Sequence, residues 1–129
     1  MRPRLLIFTL NFLTCFSQEV KVTQDKKFVS LQAGQSLTFH CQYEGQSGSY
    51  TMFWYQQKLG KGLELMGYSV SKNDFTPEKN FGAPWTMERE EETKSVLTCN
   101  KVTREVSAVY FCAASYHSRQ RLRCSLQKT

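Results

Sequence analysis

Histidine is nearly absent from this chain of 129 residues: there are two, His40 and His117. They lie far apart on unrelated elements, so no Ser/His/Asp set and no metal-spaced cluster can be built around either. That argues against an enzyme and a metal centre, and no motif calls for a cofactor. Acidic residues are missing from both ends. All 11 fall between Glu19 and Glu105, where an equal number of basic residues balances them. The net charge of +6 therefore sits in Arg2 and Arg4 at one end and in Arg119, Arg121, Arg123 and Lys128 at the other. Without a basic stripe interleaved with aromatics, nucleic acid is not a partner. No stretch shows a sustained 3.6-residue period and no segment repeats, which excludes bundles and solenoids. After the N-terminal run there is no second apolar stretch long enough to cross a ~30 Å hydrocarbon core.

That N-terminal run reads as a secretory leader over residues 1–17. Arg2 and Arg4 supply its positive start, Leu5 to Phe16 its apolar body and Ser17 a small residue at the cleavage point. Export places the rest in an oxidising compartment, where disulfides form. Of the five cysteines, Cys15 departs with the leader and Cys124 lies unpaired in the C-terminal tail. Cys99 has the parity of a small buried apolar side chain. The remaining length suits one domain over residues 18–116, followed by a tail over 117–129.

Alternation marks the strands. Val20 to Gln24 forms a short edge strand, and Phe28 to Leu31 a second piece. In the next strand Leu37, Phe39 and Cys41 point one way, while Thr38, His40 and Gln42 point the other. His40 is thus an outward, solvated side chain without a partner. A Gly/Ser-rich loop from Glu44 leads to a strand from Met52 that holds Trp54 inward, and Leu63 to Val70 follows a Gly-rich turn. Phe75 to Pro84 is irregular. Trp85-Thr86-Met87 alternates, Glu88 to Thr93 is a charged, solvated turn, and Val96 to Val102 carries Leu97 and Cys99 inward. Thr103 to Ser107 turns the corner into Ala108 to Ala114. Short strands separated by turn signals predict an all-β sandwich.

Three stretches carry a resemblance: Met52-Phe53-Trp54-Tyr55-Gln56-Gln57, Leu59-Gly60-Lys61-Gly62-Leu63-Glu64-Leu65 and Ser107-Ala108-Val109-Tyr110-Phe111-Cys112-Ala113-Ala114-Ser115. With Cys41 upstream, they resemble an immunoglobulin variable domain and, within that class, a T-cell receptor variable segment of the beta type. The resemblance runs over about residues 1–116. It implies a variable-type (V-set) two-sheet Greek-key sandwich with a Cys41–Cys112 disulfide, Trp54 packed on it and Tyr110 as a tyrosine corner. It implies contact loops carrying Gln46, Ser49 and Tyr50, then Ser71, Lys72 and Asn73, then Ala114 and Ser115, all facing peptide held by a major histocompatibility molecule. Tyr50 offers large rigid contact area; the alternative is a tyrosine packed over its own loop. Tyr55, Gln57, Leu63, Leu65 and Phe111 match positions that pack on the variable domain of a second receptor chain. Location on the extracellular side of the plasma membrane would come through a constant region absent from this sequence.

Two departures stand out. Val106 occupies a position where the family usually carries an aspartate, and no arginine stands at Asn80-Phe81 or Pro84-Trp85 to pair with one. Losing both partners of an ion pair is nearly neutral, whereas losing one is costly. The tail, from His117 to Thr129, lacks the Phe-Gly-x-Gly of a joining segment, so the final strand is missing. It resembles a recombination signal translated in frame: His117-Ser118 can be encoded by the start of a heptamer and Gln127-Lys128-Thr129 by a nonamer-like run. The expected function is antigen recognition by an unrearranged T-cell receptor beta variable segment, after joining and pairing. The rival readings are a stand-alone variable-type innate receptor or adhesion domain, and an immunoglobulin light-chain variable segment.

Overall fold

The computed structural model of the chain describes residues 20–45 and 48–116. The leader, Gln46 and the tail lie outside those residues, and so do the expectations placed on them. Eight strands form in chain order: β1 (Val20–Gln24), β2 (Leu37–Gly45), β3 (Tyr50–Gln57), β4 (Leu63–Ser69), β5 (Thr76–Pro77), β6 (Trp85–Glu91), β7 (Lys94–Cys99) and β8 (Val109–Tyr116). They make two antiparallel four-stranded sheets in the orders β1-β2-β7-β6 and β5-β4-β3-β8. Among the described residues no helix is long and apolar enough to cross a membrane.

Period-two burial builds the core between the sheets. Leu37, Phe39, Cys41 and Tyr43 face inward from β2, and Leu97 and Cys99 from β7. Tyr50, Met52 and Trp54 face inward from β3, opposite Trp85 from β6. A disulfide joins Cys41 to Cys112 across the sandwich, with the Cα atoms 6.3 Å apart. Trp54 is a ladder neighbour of Cys112 and is wholly buried, and its Nε1 donates to Ser95 Oγ at 2.8 Å. A 3-10 turn over Arg104–Val106 precedes β8, and Tyr110 Oη donates back to the Val106 carbonyl. Burial pushes the Tyr110 phenol up to about 12, against the donation it receives from Gln56 Nε2 at 3.0 Å. Cys99 is a free buried thiol, raised by the same desolvation.

Three expectations are corrected. Phe28 to Leu31 is not a strand; Phe28 stands 88% exposed. Asp25 ends β1 instead: its amide donates to the His40 carbonyl, while its Oδ1 takes the His40 N–H at 2.8 Å, a bond a ladder carbonyl would otherwise make. His40 is exposed but not unpartnered, because its Nδ1 lies 3.0 Å from Asp25 Oδ2. The charged stretch after Met87 is not all turn, since β6 runs on to Glu91.

Asp25 makes one part of the stability pH-dependent. Burial pushes its carboxyl up. Hydrogen bonds from Lys26 and from the His40 backbone and ring, with the Lys26 charge, overcome that and hold it at about 2 against an ordinary 3.8. A depressed carboxylate contributes stability that is complete above the unfolded value and lost as pH falls through the folded one. Asp25→Asn should therefore lower the urea midpoint near neutral pH and flatten its fall between about pH 4 and pH 2. Parallel acid limbs for the two proteins would show that the cluster contributes nothing.

Candidate recognition surface

At one end of the sandwich the start of β3, the end of β4 and the β6–β7 turn converge on one buried side chain, and the β4–β5 connection meets its backbone. Arg89 lies in β6 with its side chain fully buried. Pairing between β6 and β7 shifts register between Glu88 and Glu91, a bulge that sets Arg89 and Glu90 against the partner strand near Ser95. From there its guanidinium reaches the other sheet. Nη1 donates to the Ser69 carbonyl at 2.7 Å and to Ser69 Oγ at 3.3 Å. Nη2 donates to the Tyr50 carbonyl at 2.9 Å, the Glu92 carbonyl at 2.8 Å and Glu92 Oε2 at 2.6 Å. Nε adds a bond to the Glu92 carbonyl at 3.0 Å. The Arg89 backbone carbonyl accepts from the Asn73 amide at 2.7 Å, at the tip of the β4–β5 connection. A buried charge is tolerable only when paired and fully hydrogen-bonded, and Arg89 is both.

Tyrosines fill the space beside it. Tyr50 packs at a tilt against Tyr43, with centroids 4.6 Å apart, and against Tyr116 at 4.9 Å. Two glycines admit these rings. A Cβ at Gly45 would stand 2.5 Å from Tyr50 Oη, and one at Gly48, whose φ is +143°, would stand 2.2 Å from Tyr116 Cε1. Burial raises the Tyr43 phenol, with the Arg89 charge opposing.

This placement separates the sequence-derived loop residues. Ser49, Ser71, Lys72 and Asn73 are exposed, and Asn73 adopts a left-handed φ of +61° that asparagine tolerates. Tyr50, expected as a contact residue or as a ring packed over its loop, is wholly buried and presents no surface to a ligand. Ala114 packs against the core, and Ser115 is half-buried in β8. Sequence pattern alone does not single out Arg89, which lies within the acidic run Glu88, Glu90, Glu91 and Glu92. Its parity with Trp85 and Met87 was the available signal.

The outer face of β5-β4-β3-β8 forms a second surface. Tyr55 sits between Leu65 on β4 and Phe111 on β8, and Gln57 sits between Leu63 and Val109. Tyr55, Gln57 and Leu65 are half-buried by their neighbours, whereas Leu63, Val109 and Phe111 are exposed. Phe53 stacks on Tyr55 at 6.1 Å. Leu63, Val109 and Phe111 thus leave an apolar strip open on this face.

A disulfide across two antiparallel sheets, a tryptophan beside it, a tyrosine corner and loops gathered at one end define a variable-type immunoglobulin domain. The model of the immunoglobulin V-set domain matches residues 23–127. The mouse T-cell receptor beta chain V region LB2 is 35% identical over 94 residues, 73% of this chain and 67% of that one. The human T cell receptor beta variable 10-2 is 33% identical over 116 residues, 89% of this chain and 99% of the relative. Human T cell receptor alpha variable 5 is 31% identical over 103 residues, 80% and 87% of the two chains. A solved chain from work described as the structural basis of T cell specificity and activation by the bacterial superantigen toxic shock syndrome toxin-1 superposes with a TM-score of 0.72. It is 27% identical, covering 78% of this chain and 85% of that one. The chain belongs to the immunoglobulin V-set family, among its T-cell receptor variable regions. These are receptor domains, not enzymes.

Proposed function

We propose that the chain is the variable region of a T-cell receptor beta chain, which recognises peptide held by a major histocompatibility molecule after joining and after pairing with a second variable domain. It acts on the extracellular side of the plasma membrane, reached through the secretory pathway. One observation carries this reading: exposed polar loop residues Ser49, Ser71, Lys72 and Asn73 stand at one end of a sandwich whose sheet β5-β4-β3-β8 has an apolar outer face. Loops on a rigid scaffold suit recognition, and an apolar sheet face suits a partner. The beta assignment is supported by a beta relative matched over 99% of its length, against 87% for the alpha one.

The partner-facing residues of this reading are Tyr55, Gln57, Leu63, Leu65 and Phe111. Its test is co-expression of the chain, joined to a beta constant region, with a receptor alpha chain. The heterodimer should reach the cell surface, and Leu63→Glu with Phe111→Glu should reduce its amount more than tenfold by placing unpaired charges in the buried interface. Surface display without any alpha chain, unaffected by the two substitutions, would defeat the proposal.

A further inference from the structure

The loop end poses a problem that the family fold does not answer by itself. Three carbonyls, those of Tyr50 at the start of β3, Ser69 at the end of β4 and Glu92 in the β6–β7 turn, each meet the same guanidinium. Arg89 comes from one sheet and two of those carbonyls come from the other. Its own backbone carbonyl holds the Asn73 amide. Through Tyr50 the chain of contacts continues to Tyr116 at the end of β8. Hydrophobic packing has no such directionality, whereas five N–H donors in a planar fork set the relative positions of whatever they bind.

We infer that Arg89 is the positioning residue of the recognition surface: one buried guanidinium that fixes the start of β3, the end of β4 and the β6–β7 turn relative to one another. It touches no ligand and acts through the loops above it. The consequence is coupling. A change that moves Ser69 or Glu92 pulls on the same fork that holds Tyr50, so substitutions under one loop are felt in the others. Glu92 is the fork's counter-charge, half-exposed at the loop surface, 2.6 Å from Nη2. The inference rests on reading this end of the domain as the recognition surface.

The test is amide hydrogen exchange on the full chain, which needs neither antigen nor partner. Arg89→Lys keeps the charge and the stem but not the fork. Exchange should rise about tenfold or more in segments 48–52, 69–75 and 91–94 together, each tenfold reporting an opening made correspondingly easier. The β2–β7 ladder between Leu37 and Cys99, at the far end, should stay protected. Glu92→Gln, which leaves all three carbonyl bonds in place, should loosen 91–94 and spare the other two segments. Wild-type exchange in Arg89→Lys would show that charge alone suffices and would overturn the inference. A uniform rise through both sheets would overturn it too, since Arg89 would then be an ordinary core residue. Either result leaves the receptor reading intact, because that reading stands or falls on pairing and surface display.

Discussion

Replacing both Cys41 and Cys112 with alanine should lower the unfolding free energy by about 4 kcal/mol. The bridge spans a sequence separation of 71 residues. In the chain-entropy account, closing a loop of that size stabilises the fold by about 4 kcal/mol. A small domain has roughly 5–15 kcal/mol in all, so that loss removes from about a quarter to most of the stability. The other inter-sheet ties cannot compensate. Trp54 bonds Ser95 and Arg89 reaches Ser69 and Tyr50, but each of these forms only after the sheets have met. Cys99 offers no substitute bridge, being buried, free and raised in pKa by that burial. Urea titration followed by circular dichroism measures the effect. A double variant whose unfolding free energy falls by less than about 1 kcal/mol would show that the denatured chain is already constrained and that the entropy account does not apply.

The sandwich was readable because burial alternates almost without exception in β2, β3 and β7. Leu37, Phe39 and Cys41 on one face, Met52 and Trp54 on another, and Leu97 and Cys99 on a third all point where their parity places them. What parity could not give was where a strand ends. β3 begins at Tyr50, two residues before the sequence suggests, because the Tyr50 carbonyl has a buried donor in Arg89 and its ring has neighbours in Tyr43 and Tyr116. Read by alternation alone, Tyr50 shares the inward parity of Met52 and Trp54. The flanking Gly/Ser-rich loop drew the boundary in the wrong place. β6 shows the same failure at its other end. Four glutamates suggest a solvated turn, yet Trp85, Met87 and Arg89 keep strand parity through them, and only the bulge near Ser95 turns the guanidinium to its partners.

Asp25 and Phe28 illustrate the opposite error. Phe28 to Leu31 has strand composition, but an element needs a partner for its backbone. Asp25 takes the His40 N–H with a side-chain oxygen where β1 would have offered a carbonyl, and the ladder stops. The side chain that ends the strand is a local, polar event invisible to hydrophobic patterning. The same holds for Gln24, whose side chain accepts from the Cys112 amide and donates to the Tyr110 carbonyl, linking β1 to β8 across the sheets. In each case a side chain does backbone work, and the residues concerned are those whose chemistry, not periodicity, decides their place.

Trp54 shows how that chemistry and the packing combine, and its substitution should produce the second large effect. The indole is wholly buried between Gly67 and Cys112 along its two ladders, with Phe39 at 6.3 Å. Truncation to alanine removes the largest buried ring of the core and should cost about 3–5 kcal/mol. A second term is separable from this one. Ser95 is itself fully buried, and its hydroxyl accepts the indole N–H at 2.8 Å. Trp54→Phe keeps most of the ring but strands that hydroxyl; Ser95→Ala keeps the ring but strands the N–H. Each single change leaves a buried polar group unsatisfied, at roughly 1–3 kcal/mol. The double variant Trp54→Phe with Ser95→Ala removes both groups at once and should be more stable than the sum of the singles predicts, by about 1–2 kcal/mol. Urea midpoints of the four proteins close the cycle. Simple additivity would mean that the Trp54–Ser95 hydrogen bond adds nothing beyond packing.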